Sequence, residues 1–550
     1  MRQKILFFLY LAILILPNIL LCYTESITPW GKVALVMLPL GIYWRIMSIS
    51  RKVNKTYLWM FPILFLGAFN IVIGYLFGKG VVAVDMWLNL ATTSVGEASE
   101  MLTQIYPAVI AVCIIYLPTL TYAIWRRKKE PFLSTIFLRL QRRVSYVIMG
   151  ISLPILMIAM QSDRYAFLDD MFPVNVCYNF KLAVGREIAS MRYTETSKDF
   201  KFDITASDTL PEVIVMVIGE TSRAHNWQIC GYERPTNPEL SKMPDVVVYR
   251  DCMSQSNTTH KSVPIILSQA SAEDFDTLLY SKGIIQAYNE AGFSTVFLSN
   301  EPRNHSFNDH LGEEAKQILF LRDSLSGDPK DTLLLPIFER HLKESPKRTL
   351  IVVHTYGSHS TYDERYDRSQ AYFQPDDIVK ATKEYRDVLV NAYDNTIRLT
   401  DHLLASFIRQ LQASGRPAAL LYISDHGEDI FDDDRNIYLH ASPSPSYWQL
   451  HVPLIAWTSK EYTAAYPERV QAIHKNRRLA VQNDCIFHTL LTLGGIQTKY
   501  AKPELSIASP QFKEKTQRKY LTDHNKPVTF DRCFMQQDFD AMKEHGIRTH

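Results

Sequence analysis

The chain has seven cysteines in 550 residues, at positions 22, 113, 177, 230, 252, 485 and 533. No C-x-x-C pair occurs among them, which excludes a zinc ribbon and a thioredoxin-type redox site. Net charge is also nearly absent, +2 at pH 7, so no nucleic acid and no wholesale acidic partner is implied. Internal repeats and low-complexity tracts are missing too. After residue 160 the long apolar runs stop, and the remainder has the composition of an ordinary soluble domain.

What is present before residue 160 is a set of five apolar segments, at about 4–22, 33–49, 57–77, 105–124 and 144–160. Each approaches the ~20 residues needed to cross a hydrocarbon core, which predicts a five-helix membrane domain over 1–160. Arg2 and Lys4 precede the first segment as in a signal peptide, yet no A-x-A-like site follows it. Cys22 follows Ile19-Leu20-Leu21, a poor lipoprotein box. The segment therefore reads as a retained helix.

Basic residues set the expected orientation. Arg45, Arg51, Lys52 and Lys55 cluster after the second segment, and Arg126, Arg127, Lys128, Lys129, Arg139, Arg142 and Arg143 after the fourth. The alternate loops are poor in such charge. The basic loops are thus cytoplasmic, and everything after residue 160 faces outward, into the periplasm of a cell with two membranes. The spans hold almost no ionisable residues, which argues against a transporter.

Residues 161–205 read as a linker with short interfacial helices, and 206–550 as the outer domain. In that domain branched apolar runs at 213–218, 293–298, 349–353, 418–423 and 452–457 alternate with helical stretches. The clearest helix lies within 379–413, where Leu389, Tyr393, Ile397, Leu404, Phe407, Ile408 and Leu411 recur at helical spacing before Gly415 and Pro417. Strands separated by helices predict an α/β/α layering with a mainly parallel sheet.

Ligands collect outside the carboxyl ends of the strands in such a sheet. Three strand ends deliver Glu220, the segment His354 to His359, and "DHGE" with Asp425, His426 and Glu428; His440 follows in "YLHAS". Any one alone reads as a solvated loop. Their joint placement on one edge points to a metal site, and oxygen and imidazole ligands without thiolate suit zinc or manganese. The stretch "SQSNTTHKSVPIIL" supplies hydroxyls at a helix start, among them Ser256, Thr258, Thr259 and Ser262. Such a run is ordinarily an N-cap, but a helix N-terminus beside a metal also suits a phosphate and a nucleophile. Composition does not choose among the four.

"GETSRAHNWQICGYERPTNP" (219–238), "TTHKSVP" (258–264), "HTYGSH" (354–359), "NAYDNTIRLTD" (391–401) and "SDHGE" with "YLH" stand in this order. With these motifs the chain resembles the phosphoethanolamine transferases of the alkaline-phosphatase superfamily, the membrane enzymes that modify lipid A. The resemblance implies an alkaline phosphatase/sulfatase-like outer domain tied to a bacterial inner membrane. It implies Glu220, Thr259, Asp425 and His426 as ligands of one tightly bound Zn2+, with Thr259 also the nucleophile. His359 and His440 would hold the phosphoryl group or a second zinc, with Glu428 assisting. The implied donor is phosphatidylethanolamine and the implied acceptor lipid A or a related envelope glycolipid.

Two departures stand out. The family brackets its nucleophile with a disulfide, but the matching positions are Gln255 and Ile265; rigidity must come from packing, or from a pair such as Cys230–Cys252. A family lysine after the 293–298 strand is replaced by "NEPRNHS", where Arg303 or His305 would substitute. In the outer loop 78–104, Asn89, Thr93 and Glu97 stand at i, i+4 and i+8, one face of a helix. That spacing is ordinarily a solvated face; the resemblance places such residues at the donor's ethanolamine head group. A phosphoglycerol transferase of the lipoteichoic-acid-synthase type is the alternative. A sulfatase would need a C/S-x-P-x-R nucleophile motif, which does not occur here.

Overall fold

In a computed structural model of the chain, described residues are all except 1, 26, 78–79, 93–94, 163–164, 326, 346–347, 443 and 550, and the side chains of 76–77, 89, 91–92 and 95–104. The chain divides into two compact units, one of residues 1–91 and 95–185, the other of 92–94 and 186–550.

The first unit is helical: α1 (Arg2–Thr24), α2 (Pro29–Met47), α3 (Val53–Trp59), α4 (Phe61–Phe77), α5 (Val84–Thr92), α6 (Val95–Arg126) and α7 (Thr135–Ala159). The expectation of five spans does not hold. Among the described residues three helices are long and apolar enough to cross a membrane: Arg2–Thr24, Ile105–Arg126 and Thr135–Ala159. A fourth is reached only by counting α3 with Phe61–Tyr75 as one span bent by 59°. The reasons are local. Lys32 and Arg45 sit inside α2 with Pro29 and Pro39, which dilutes its apolar content. The third segment breaks at Met60, between α3 and α4.

The second unit is built on a seven-stranded sheet. Its strands are β1 (Val213–Gly219), β2 (Val246–Tyr249), β3 (Ser294–Ser299), β4 (Gln317–Phe320), β5 (Thr349–His354), β6 (Ala418–Ser424) and β7 (Leu454–Thr458). The spatial order is β2-β7-β6-β1-β5-β3-β4. The sheet is mixed: β7 runs antiparallel to both β6 and β2, while the pairs from β6 through β4 are parallel.

Strand periodicity divides the core into two layers. Ile214, Met216 and Ile218 of β1 enter one apolar cluster, and Val213, Val215 and Val217 the other. In β6, Ala419, Leu421 and Ile423 oppose Ala418, Leu420 and Tyr422 in the same way. Burial on both faces is why these strands read as unbroken apolar runs. One face is covered by α8 (Thr259–Leu267), through Val263, Ile266 and Leu267. The other is covered by α9 (Arg386–Ala413), whose residues 389, 393, 397, 404, 407, 408 and 411 are all buried there. Each large aliphatic or aromatic side chain so buried contributes about 1.5–3 kcal/mol. The helix ends as Ser414 N–H bonds back to Gln410 O and Gly415 turns at φ +63°.

Candidate metal centre

Three neighbouring strand ends and the start of α8 meet at the carboxyl edge of the sheet. Backbone fit fixes the first of them. A Cβ at Gly219 would fall 2.4 Å from the Tyr422 hydroxyl, and one at Gly357, where φ is +50°, would fall 2.6 Å from Glu220 O. Only glycine lets these loops lie so close. Glu220 follows Gly219 directly, and Thr221 turns at φ 57° and donates its hydroxyl to Glu220 Oε1 at 2.6 Å.

Of the four hydroxyls at the start of α8, the structure brings Thr259 to the acids. Its Oγ1 lies 3.2 Å from Glu220 Oε2 and 3.1 Å from His426 Nε2. Thr258 precedes the helix in extended conformation and turns to Ser256 Oγ at 3.1 Å. Ser262, with Ser254, donates to the Asp425 carbonyl at 2.6 Å and so holds the end of β6. All seven cysteines are free, so neither the family bracket nor a Cys230–Cys252 pair stiffens this start. Hydrogen bonds do so instead. Gln255 accepts from Ala272 N at 2.6 Å, Asn257 bonds Ser442 O and Gln449 Oε1, and Tyr520 donates to Asn257 Oδ1. Ile265 is fully buried.

Asp425 and His426 complete the group. Asp425 Oδ1 accepts from the N–H groups of Thr221 and His426 at 3.1 and 2.7 Å. Its Oδ2 is buried, takes no hydrogen bond and stands 3.2 Å from His426 Nε2. His426 Nδ1 bonds Gly427 O at 2.9 Å, so the proton is on Nδ1 and the Nε2 lone pair faces the group. His426 Nε2 is 3.6 Å from Glu220 Oε1. Asp425 Oδ2 and Glu220 Oε1 both face His426 Nε2, acceptor against acceptor.

Burial and the neighbouring Asp425 push Glu220 up to about 8, and burial pushes Asp425 up to about 6. Burial, helped by His440, lowers His426 to about 3. A divalent cation reverses this balance for both acids. The spacing fits one: four ligands about 2.0–2.1 Å from a tetrahedral zinc are about 3.3 Å apart, against the 3.1–3.6 Å found among these atoms.

His440 joins the group from the far side, its ring 4.2 Å from that of His426. One of its nitrogens lies within 4.8 Å of ligand atoms of Glu220 and His426. Burial alone would lower its pKa, but Glu428 Oε2, 3.0 Å from its Nδ1, raises it. Glu428 is itself buried and takes a second hydrogen bond from the Tyr362 hydroxyl. His359 lies further out, its ring 6.5 Å from His440 and stacked on Tyr356 at 4.8 Å. Burial, with Arg365 and His440 beside it, holds His359 neutral. Arg303 is not brought to this group. It pairs with Glu313 and Asp323 across the Phe320 ring. Thr93 lies outside the described residues, as do the side chains of Asn89 and Glu97.

Several contributors carry no motif chemistry and escape a reading for ligands. Tyr393 donates to Thr221 O and accepts from Arg223 N, pinning the loop after β1 to α9. Arg223 is buried, reaches Glu428 O and pairs with Asp432 at 2.5 Å. Asp394 gathers Asn226, Tyr232 and Arg234. Much of the "GETSRAHNW" and "NAYDN" signature is therefore scaffold that aims Glu220. Arg322 and Arg365 cover Tyr356 at 3.7 and 4.7 Å, the cationic flank that Arg303 does not supply.

Residues 212–496, just over half the chain, match a protein-family model described as Sulfatase. The phosphoethanolamine transferase EptA of Escherichia coli K12 is 32% identical over 300 residues, covering 52% of this chain and 54% of that protein. The chain thus aligns with about half the length of such curated relatives. The periplasmic domain of E. coli EptC, solved in complex with Zn, superposes with a TM-score of 0.54 at 25% identity over 59% of this chain and 94% of that one. The integral membrane protein lipooligosaccharide phosphoethanolamine transferase A of Neisseria meningitidis gives a TM-score of 0.72 over 91% of this chain and 97% of that one. At 22% identity that likeness shows a shared fold. Among the described residues, three helices are long and apolar enough to cross a membrane, and the sheet-bearing unit is similar in fold to the periplasmic domains of these transferases. The chain belongs to the sulfatase family, and over about half its length it is similar to the phosphoethanolamine transferases.

Proposed function

We propose that this chain transfers phosphoethanolamine from phosphatidylethanolamine to lipid A, or to a related envelope glycolipid, through a covalent intermediate on Thr259. The observation that carries the reading is the Thr259 hydroxyl held within 3.2 Å of buried Glu220 and His426, with Asp425 Oδ2 beside the same His426 nitrogen. Zinc, held by these four residues, supplies positive charge that favours the ionised hydroxyl and the charge developing on phosphorus.

Thr259 Oγ1 attacks the donor phosphorus. The bond from phosphorus to the diacylglycerol oxygen breaks, and that oxygen leaves with a proton. An acceptor oxygen then attacks the same phosphorus, and the threonine oxygen is released. His440, its basicity raised by the hydrogen bond to Glu428, faces one phosphoryl oxygen, and His359, its basicity lowered by burial, bonds another. Catalysis is assigned to 206–550, with 1–160 as the anchor and 161–205 as the linker. Asn89, Thr93 and Glu97 are assigned to the ethanolamine head group.

The sulfatase-type reaction is less supported, because the C/S-x-P-x-R nucleophile motif does not occur. The test is mass spectrometry of lipid A from cells with and without the chain. An added phosphoethanolamine group is expected. A phosphoglycerol adduct, or no adduct with hydrolysed donor, would replace this reading by transfer from another lipid or by a phosphatase.

A further inference from the structure

The strand register carries a second site that the ligand motifs do not announce. β1, β5 and β3 are consecutive in the sheet, with Ile218, His354 and Ser299 in register across them. Neighbouring strands stand about 4.7–4.9 Å apart. Glu220 lies two residues beyond Ile218, and Glu301 two residues beyond Ser299, with His354 between them at the tip of β5. The ladder holds this edge firm: Thr355 N donates to Ile218 O at 3.0 Å, Asn300 N to His354 O at 2.9 Å, and Ser358 N to Glu220 O at 2.9 Å. Glu301 N bonds back to Ser299 Oγ at 3.0 Å and turns the chain over the edge. As a result one carboxylate oxygen from Glu220, one from Glu301 and one ring nitrogen of His354 all lie within 4.8 Å of one another.

The histidine separates this group from an ordinary acidic loop. His354 is 2% exposed, and its Nε2 is buried without a hydrogen-bond partner. Leaving such a group unsatisfied costs about 1–3 kcal/mol. His354 faces two carboxylates, yet its Nε2 makes no hydrogen bond to either. An imidazole beside two carboxylates is a ligand set.

We propose that Glu220, His354 and Glu301 form a second divalent-cation site, with the Glu220 carboxylate bridging it to the Glu220–Thr259–Asp425–His426 group. Bridged pairs of cations stand about 3.5–4 Å apart in two-metal sites. One carboxylate spans that distance with its two oxygens. Mixed carboxylate and imidazole ligands suit Mn2+ or Zn2+, with water completing the shell. Three carboxylates share this edge, Glu220, Asp425 and Glu301, and a single dication leaves it with a net negative charge. The second cation fixes the rotamer of Glu220 and hence the ligand that faces Thr259. This site differs from a second zinc on His359 and His440, since it uses neither histidine. It also does not rest on the transfer reading.

The experiment counts metal, not turnover. The purified full-length chain in detergent is stripped with a chelator and dialysed against zinc chloride or manganese chloride. Bound metal per chain is then measured by inductively coupled plasma mass spectrometry. Two equivalents are expected for the unaltered protein. His354→Gln and Glu301→Gln should each lose one equivalent and keep the other, and His359→Ala should keep both. Circular dichroism of the stripped proteins checks folding. Should His354→Gln misfold, Glu301→Gln, which alters a partly exposed loop residue, decides alone. A single equivalent in the unaltered protein, an unchanged count in Glu301→Gln, or a loss confined to His359→Ala would overturn the proposal.

Discussion

Glu212 and Glu220 stand at opposite ends of one strand, β1, and both are pushed up to about 8. Burial is the main cause at each, and a neighbouring aspartate the second, Asp208 for one and Asp425 for the other. By titration alone the two ends are indistinguishable. Their surroundings are not. Near Glu212 the charges are matched: Arg469 grips Asp208 with two nitrogens, and Arg348 bonds Ser207 Oγ and Asp208 O. Around Glu220, beside the Thr221 and Thr259 hydroxyls, stand the unmatched lone pairs of His426 Nε2 and Asp425 Oδ2, with no cationic side chain among the described residues paired to them. A perturbed carboxylate marks a site only when the groups around it share a missing partner. Here the missing partner is a cation.

The largest expected effect separates the two ends outright. Thr259→Ala should reduce phosphoethanolamine transfer by at least about 10³-fold, since in the proposed mechanism one hydroxyl serves as both nucleophile and ligand. Thr258→Ala, whose hydroxyl turns to Ser256, should be far milder. Turnover of labelled phosphatidylethanolamine by the purified variants, with circular dichroism as a folding check, measures both. The reverse ranking would move the nucleophile one residue along.

Next in size are the residues that divide holding metal from holding phosphoryl oxygen. Asp425→Ala removes a buried carboxylate proposed as a ligand and should lower bound zinc along with activity. His359→Ala, with its ring 6.5 Å from His440, should keep the metal and lose about 10²–10³ in rate. Metal analysis beside turnover separates them. Equal metal loss in both would make His359 a ligand.

How much of this was legible before any coordinates follows from where the physics is local. The apolar runs 213–218 and 418–423 mark doubly buried strands, because both faces of β1 and β6 are covered. The stripe from Leu389 to Leu411 marks α9 for the same reason. The DHGE cluster stands out because charge follows directly on a core strand. Non-local facts were not legible. The reversed direction of β7 leaves no trace in "VPLIAW", whose pattern is the same either way. The edge strands Val246–Tyr249 and Gln317–Phe320 are short and half-buried. The membrane count failed where Lys32 and Arg45 interrupt α2 and where the chain bends at Met60. Glu301 escaped although it obeys the strand-end rule that picked out Glu220, because its role needs the register of β3 on β5.

A smaller effect tests the donor end. Glu97→Ala should lower transfer by about 10- to 100-fold through loss of a charge-assisted bond to the ethanolamine ammonium. Bound zinc should stay at its usual level, and Glu97→Gln should do nearly the same damage. Unaltered turnover in Glu97→Ala with phosphatidylethanolamine as donor would return this segment to a solvated helix face.

The smallest effect is on stability, and it tests whether the Glu212 end is structural. Its pKa is about 8 in the folded chain against 4.5 for an ordinary glutamate. Below pH 4.5 the group is protonated whether folded or not, and contributes no pH dependence. As pH rises from there the unfolded chain releases the proton while the folded chain keeps it, so stability falls by up to about 1.4 kcal/mol per pH unit until about pH 8. Matched arginines cannot cancel this, because Arg469 is already committed to Asp208. Glu212→Gln keeps the shape and removes the proton equilibrium. The variant should therefore melt several degrees above the unaltered chain at pH 8, by an amount on the order of a few kcal/mol, and the gap should close by pH 5. Taking the difference between the two proteins cancels the contributions of Glu220 and Asp425, which both share. Thermal melts of the purified chain in detergent at the two pH values give the answer. A gap equal at pH 5 and pH 8 would mean that Glu212 is ionised in the folded protein and paired after all. The contrast between the two ends of β1 would then lie in charge pairing alone.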